Sequence, residues 1–367
     1  MAEPRKHQVS LRGASAREIT RDALLEKVSQ ERELRNFTRR AAAAALFIQR
    51  VWRRYNLTKK VAEQFQEEWE TLVNHHADLL TRTWISSCLL RPFLFFTTHL
   101  STRHHKIRTK DIECMRSCFQ ILLESINTTD SKKNFCSLAT GTLEERRIWL
   151  YQAQKLISLC SFILAKCDDS NPWGQDFVVL TSLAMRLAVV LTDMKGWKSI
   201  GDDNLSDANI AVKDLVQFMG SRKSGLYICV KRYIYNLDIH FSSQNSVVQT
   251  DDIFLITASA ITLALRPFHM ANSDANYPGS MDLHCAAVQY FLFVLTIPWL
   301  AQRLPVVLLP ALKHESVLSP CLRALVILKE KILMEMSEMD ESKIPCPKVM
   351  SQPGWALANV ICLATGE

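Results

Sequence analysis

The segment Ala41–Ala62 constrains the fold more than any other part of the chain, because its residues repeat with the period of an α-helix. It opens with five consecutive alanines, the best helix formers, and continues as LFIQRVWRRYNLTKKVA. At 100° per residue, its apolar residues fall in a band of roughly 100° and most of its cations fall on the opposite side. The band contains Ala44, Ile48, Val51, Trp52, Tyr55 and Ala62, and the basic side contains Arg50, Arg53, Arg54 and Lys60. The segment therefore predicts a basic amphipathic helix.

The same helix contains the opening of an IQ motif, the helical pattern IQxxxRGxxxR that calmodulin and related proteins bind. Ile48-Gln49 and Arg53 match the first half, whereas Arg54 stands at the glycine position and Thr58 at the second basic position. The first half of the motif is intact, whereas the second half differs from the IQ pattern and does not predict binding of a second calmodulin lobe. The candidate calmodulin-binding residues are Ile48, Gln49, Trp52, Arg53, Arg54 and Tyr55.

The distribution of charge indicates that an electrostatic partner would bind the start of the chain. Residues 1–60 contain 15 Lys/Arg and 6 Asp/Glu, a net charge of +9, whereas the whole chain has a net charge of +7. Two other interpretations of the helix stay open: its apolar face packs on its own domain, or it binds another acidic protein. Nucleic-acid binding is disfavoured, because acidic and basic residues alternate between residues 17 and 35 as in a solvated, salt-bridged helix.

The rest of the sequence predicts an all-α protein. Residues 1–80 form a basic N-terminal helical arm with the IQ motif at about 41–62, and residues 81–367 form a helical body. Ser15 with Glu18 and Thr142 with Glu145 have the spacing of capping boxes that open helices. Many apolar helices of moderate length, with neither sustained period-2 alternation nor a fixed repeat, indicate an irregular α-solenoid-like array. We expect this body to be incomplete at its C-terminus.

No catalytic, cofactor or metal site is expected. The sequence has no phosphate-binding loop, no G-x-S-x-G and no H-E-x-x-H. Its eleven cysteines are odd in number and scattered, as in reduced proteins of the cytoplasm or nucleus. Cys114 and Cys118 could share one face of a helix, but no second Cys/His pair at zinc spacing accompanies them. The longest apolar stretch, Ala286–Leu300, is too short to span a bilayer, so no membrane partner is expected.

Several long phrases of the sequence resemble the IQ-bearing HECT-type ubiquitin-protein ligases of plants. These phrases lie at Val9–Asn36, Leu90–Phe96, Leu122–Asn127, Asn134–Ala139, Thr257–His269, Leu295–Leu300 and Gly354–Ala364. The resemblance implies a helical region that precedes a C-terminal HECT domain. In that domain a cysteine accepts ubiquitin from a conjugating enzyme as a thioester and passes it to a lysine of the substrate.

The resemblance does not extend to a HECT domain, and none of the eleven cysteines matches the family's catalytic cysteine. The chain alone should therefore be inactive, and whether it belongs to an enzyme stays open. The resemblance implies a non-catalytic region that binds ubiquitination substrates or regulators, with ubiquitin and a conjugating enzyme as partners of the full-length family member. The alternative is a free-standing helical adaptor or calmodulin-binding scaffold without transferase activity.

Overall fold

A computed structural model describes the chain over a set of helical segments and the turns between them. The described residues are 21–75, 81–100, 107–166, 175–197, 205–221, 223–233, 255–256, 258–264, 266, 294–297, 300, 322, 326, 329 and 352–365. All regular secondary structure in these ranges is helical. The expected all-α class and the long N-terminal helix are therefore confirmed, and the Ser15–Glu18 capping box lies outside the described residues.

The first helix, α1, runs without interruption over Arg21–His75. It is continuous because its 55 residues include neither glycine nor proline, and because the alanine run favours helix at its centre. An exposed ion pair between Glu31 and Arg35 adds i,i+4 support, at 3.0 Å between Oε2 and Nη2. Contacts divide the chain into two units, residues 1–61 and 62–367, so α1 begins in one unit and ends in the other. We call residues 21–61 the outer segment of α1 and Ala62–Val73 its root.

The body unit contains a series of shorter helices joined by turns. They are α2 (Arg82–Trp84), a π-helical segment (Ile85–Leu90), α3 (Arg91–Leu100), α4 (Thr109–Ile126), a 3₁₀ helix (Phe135–Thr140), α5 (Leu143–Lys166), α6 (Gln175–Leu191), a 3₁₀ turn (Met194–Gly196) and α7 (Leu205–Gly220). Further described helices are residues 226–233 and Gln352–Thr365. The series forms an irregular array of packed helices.

Helix α5 lies at the centre of this array and packs against α6, α7 and the 3₁₀ helix Phe135–Thr140. Its buried face includes Trp149, whose ring meets that of Trp197 edge-on at 5.5 Å between centroids. Among the described residues, α5 is the one helix long and apolar enough to cross a bilayer. More than half of its apolar window is buried inside the protein, which is what a core helix of a folded domain requires, so its composition is weak evidence for a membrane span.

The start of α5 confirms the predicted capping box. The Thr142 backbone N–H donates to Glu145 Oε2 at 2.8 Å, and the Glu145 backbone N–H donates to Thr142 Oγ1 at 3.3 Å. These two bonds satisfy backbone donors that a helix otherwise leaves unpaired at its first turn. Arg82 adds an ion pair to Glu145 at 3.2 Å, which joins the start of α2 to the start of α5.

The root of α1 is part of the core of the body unit. Ala62, Gln66 and Trp69 are buried, and the Trp69 indole donates to the carbonyl of Leu89 at 2.9 Å. The Trp69 ring also packs against Phe93 and Phe96 of α3, with centroid distances of 5.6 and 5.8 Å. An indole that is both buried and hydrogen-bonded fixes the position of the helix that bears it.

A polar network holds the root against α4. The amide of Gln66 donates to Asp111 Oδ1 at 3.1 Å and accepts from the Arg108 guanidinium at 2.9 Å. Arg108 also pairs with Asp111 at 2.9 Å, and Lys110 pairs with Glu70 at the same distance. The hydrogen bond to Asp111 raises the pKa of Arg108 above its ordinary value. Asp111 is buried with its charge compensated, as a buried carboxylate requires.

Candidate partner-binding helix

The outer segment of α1 exposes large apolar side chains to solvent. All residues from 21 to 54 are exposed. Within the IQ region, Ile48, Val51 and Trp52 keep between 52% and 65% of their surface accessible. The apolar face is therefore not packed into a core at these positions. A line of exposed apolar side chains on a helix is the form in which proteins present a helix to a groove of another protein.

The candidate residues lie on this one continuous helix, but they do not share one face. Ile48, Trp52 and Tyr55 have the spacing i, i+4 and i+7, and the rings of Trp52 and Tyr55 lie 6.1 Å apart. Gln49 and the neighbouring pair Arg53-Arg54 fall outside that face at 100° per residue. The geometry thus gives three apolar anchors with polar and cationic side chains beside them.

The electrostatics of the outer segment are uniformly positive over a long stretch. No Asp or Glu occurs between Glu33 and Glu63. The same stretch contains eight cations, which are Arg35, Arg39, Arg40, Arg50, Arg53, Arg54, Lys59 and Lys60. Because most of these charges are exposed, they attract an acidic surface from a distance of about 8–10 Å at physiological salt. An acidic, apolar groove is the partner surface that this combination fits.

Burial sets the C-terminal limit of the available face. Tyr55 is half-buried, and Ala62, which belongs to the predicted apolar band, is fully buried. The same face continues through Gln66 and Trp69, both buried. Thr58 donates its hydroxyl to the Arg54 carbonyl at 2.8 Å, so it is bonded within its own helix. On this face, apolar side chains are therefore accessible to a partner only as far as the half-buried Tyr55, because Ala62 and Trp69 of the root are buried.

The buried thiols of the body unit are unsuited to nucleophilic chemistry. Burial raises the pKa of Cys114 to about 12 and that of Cys160 to about 12, and it also raises those of Cys118 and Cys136. They are protonated at neutral pH, and the thiol is the unreactive form of cysteine. Cys114 donates to Glu70 at 3.3 Å as part of the contact between α4 and the root. Within the described ranges, no group of three His, Cys, Asp or Glu side chains is placed to hold a metal ion.

A second surface feature is an open groove between α5 and α7, with a volume of about 550 Å³. Its lining includes the apolar residues Leu150 and Phe218 and the polar residues Gln154, Asp214 and Gln217. Partial burial raises the pKa of Asp214 above its ordinary value of 3.8. The groove was not apparent from the sequence, because α5 and α7 are separated by α6 along the chain.

Comparison of the chain with protein-family models, with characterised proteins and with solved structures gave no match. The resemblance to HECT-type ligases therefore rests on the sequence phrases alone.

Proposed function

We propose that this chain is the non-catalytic N-terminal region of a HECT-type ubiquitin-protein ligase, and that its outer segment binds calmodulin or a calmodulin-like protein. In this proposal the helical body binds ubiquitination substrates or regulators. The observation that supports calmodulin binding most directly is the exposure of Ile48, Val51 and Trp52 on a stretch of helix, residues 34–62, that contains no acidic residue. The phrases shared with the plant ligases support the ligase assignment.

In this proposal the apolar face would supply most of the binding free energy, and the cations would add a smaller contribution. Each anchor that enters an apolar groove contributes about 1.5–3 kcal/mol by leaving water. Ile48 and Trp52 are 65% and 61% exposed in the unbound chain, so most of their surface would be newly buried on binding. Arg50, Arg53 and Arg54 would meet acidic side chains at the rim of the groove. Such rim charges act mainly on the rate of association and on its dependence on salt.

The transfer of ubiquitin would belong to the HECT domain of the family, where a reactive thiolate forms the thioester. The described buried cysteines do not offer such a thiolate, as their raised pKa values show. The role of this chain would be to position partners for that domain. A ligase regulated in this way would respond to the occupancy of the outer segment.

Calorimetric titration of the purified chain with calmodulin, with and without Ca²⁺, tests the binding proposal. We expect Ile48→Ala combined with Gln49→Ala to weaken binding by about 1–3 kcal/mol, the scale of one lost buried anchor. Leu46→Ala is the matched control, because Leu46 is as exposed as Ile48 (64% against 65%). At 100° per residue it lies about 160° away. Equal affinity of the double variant and the wild type would refute this site.

An immunoblot against residues of the outer segment separates the ligase from the adaptor alternative. A band far above 41.9 kDa supports a longer ligase that contains these residues. A single band at 41.9 kDa contradicts the ligase assignment and favours a free-standing helical adaptor or calmodulin-binding scaffold.

A further inference from the structure

The exposed apolar face of the outer segment extends well before the IQ residues. Phe37 and Leu34 are 71% and 66% exposed, and at 100° per residue they lie within about 40° of Ile48. From Leu34 to Tyr55 the face covers 22 residues of one unbroken helix, a length of about 32 Å. None of the residues assigned to the IQ motif lies in the first half of this length.

The face is divided into two apolar clusters by the alanine run. Leu34 and Phe37 form the upstream cluster, and Ile48, Val51, Trp52 and Tyr55 form the downstream cluster. The alanines at 41–45 lie between them and offer little apolar surface to a partner. Each cluster has its own cations, with Arg39 and Arg40 next to the first and Arg50, Arg53 and Arg54 within the second.

The face has no comparable cluster after Tyr55. Lys59 follows Tyr55 on it, and the next positions, Ala62, Gln66 and Trp69, are all buried in the body unit. A partner with two helix-binding lobes can therefore place its second lobe only on the upstream side.

We propose that an acidic, two-lobed protein of the calmodulin type holds α1 with one lobe on the downstream cluster and the other on Leu34 and Phe37. This inference rests on the proposed function, and it adds Leu34 and Phe37 as binding residues. It also assigns a direction, because the second lobe binds toward the N-terminus of the helix and not along the second half of the IQ pattern.

Charge and shape favour this occupant over a second copy of the chain. In a parallel pair of outer segments Arg40 and Arg54 would lie near the same residues of the other copy, and in either orientation residues 34–61, which carry cations and no acidic residue, would meet a segment of the same charge and repel it. The central alanines would also leave the middle of a two-helix seam with little apolar surface to bury. Two separate lobes need only the two clusters, and acidic lobes are attracted by the cations.

The test is titration of the full chain with Ca²⁺-loaded calmodulin and, separately, with each isolated calmodulin lobe. The test variant is Leu34→Ala with Phe37→Ala, and the control is Leu57→Ala with Phe47→Ala. The two pairs have the same composition and closely matched exposure, with 66% for both leucines and 71% against 67% for the phenylalanines. Phe47 and Leu57 lie about 100° and about 180° from Ile48 around the helix. Circular dichroism confirms that all variants remain helical.

We expect the test variant to lose at least tenfold in affinity for whole calmodulin, and the control to lose less than twofold. The wild type should bind two isolated lobes per chain, and the test variant one. If Ile48→Ala weakens calmodulin but the Leu34/Phe37 variant does not, the upstream lobe site is refuted and the proposed function stands. If both pairs weaken binding equally, the partner does not select this face and the inference fails. If the wild type binds no calmodulin, the calmodulin proposal and this inference fail together, and sedimentation velocity then shows whether a second copy occupies the face.

Discussion

In the outer segment of α1 the apolar face holds Ile48 and Trp52 exposed, whereas in the root the same face holds Ala62 and Trp69 buried. The two parts have the same helical period, so the period does not explain the difference. Their charges are opposite. The outer segment has no acidic residue after Glu33, and the root has four acidic residues and no cation. The acidic and amide side chains of the root contact Arg108 and Lys110 at the start of α4, whereas the outer segment itself contains many cations.

The comparison shows that an amphipathic pattern identifies the apolar face of a helix, but not whether that face packs in the protein's own core or stays exposed. Gln66 and Glu70 of the root find Arg108 and Lys110 across the packed surface. A positively charged root could not make these contacts. In α1, the acidic root thus packs into the core of the body unit, whereas the basic outer segment keeps its apolar side chains exposed and would suit an acidic partner.

The largest expected difference is between the two tryptophans of α1. Trp69→Ala should lower the free energy of unfolding by about 3–5 kcal/mol, because it removes a buried ring and its hydrogen bond to Leu89. Trp52→Ala should change it by less than about 0.5 kcal/mol, because Trp52 is 61% exposed. Urea denaturation of the full chain measures both. Similar losses for the two variants would break the distinction between root and outer segment.

A smaller effect is expected for the ion pairs of the two parts. Asp111→Ala should cost about 2 kcal/mol, because it leaves Gln66 and Arg108 without their shared acceptor at the root. Arg108 is half-exposed and can recover some hydration, which keeps the loss below that of a fully buried pair. Glu31→Ala, which breaks the exposed pair with Arg35, should cost no more than about 0.5 kcal/mol. A loss at Glu31 as large as that at Asp111 would contradict this ranking.

Removal of one cation from the outer segment should weaken calmodulin binding less than removal of an apolar anchor. We expect Arg53→Ala to cost about 0.5–1 kcal/mol in affinity at low salt. Stopped-flow association at several NaCl concentrations should show that most of the loss is in the association rate and that it shrinks as salt rises. A loss that is independent of salt would mean that Arg53 contributes through packing.

The smallest effect concerns α5, a helix with both ends in the body unit. The hydrogen bond from the Thr142 N–H, with help from Arg82, holds the pKa of Glu145 below its ordinary value of 4.5. A lowered pKa in the folded state means that Glu145 stabilises the fold above about pH 4.5, and that this contribution is lost as pH falls through the lowered pKa. Glu145→Gln should therefore flatten the dependence of the urea midpoint on pH between 6 and 3.

The control for this pH experiment is Glu144→Gln, which removes the same charge from the neighbouring position. The side chain of Glu144 makes no hydrogen bond or ion pair among the described residues, whereas that of Glu145 completes the capping box. An identical change of slope in the two variants would show that net charge, and not the capping box, produces the effect.

The sequence was sufficient for the features that depend on neighbouring residues. The continuous helix through the alanine run, the all-α class and the capping box of Thr142 with Glu145 are all confirmed. Each of them follows from propensity, periodicity or a spacing of three residues. The calmodulin site itself stays a prediction.

Features that join distant parts of the chain were not predictable in this way. Gln66 and Asp111 are 45 residues apart, and no local pattern pairs an amide with a carboxylate at that distance. The choice between packing and exposure for the amphipathic helix also stayed open, because the stripe at Ile48 and the stripe at Trp69 have the same period. Cys114, considered as half of a metal pair, lies buried against the root, which only the packing of α4 could show.

The continuity of α1 between its root and its outer segment has a consequence for how the helix forms. An isolated helix must first close a costly nucleating turn, and segments of 12–15 residues are only marginally stable in water. The root provides that turn, because it is already helical within a folded core. Extending the helix into the outer segment then requires only propagation, for which the free-energy change is about a few tenths of a kcal/mol or less per residue. A peptide of residues 34–56 would lose this advantage and would have to order itself at the moment of binding. The intact chain would offer the same residues already wound, with fraying confined to the end farthest from Ala62.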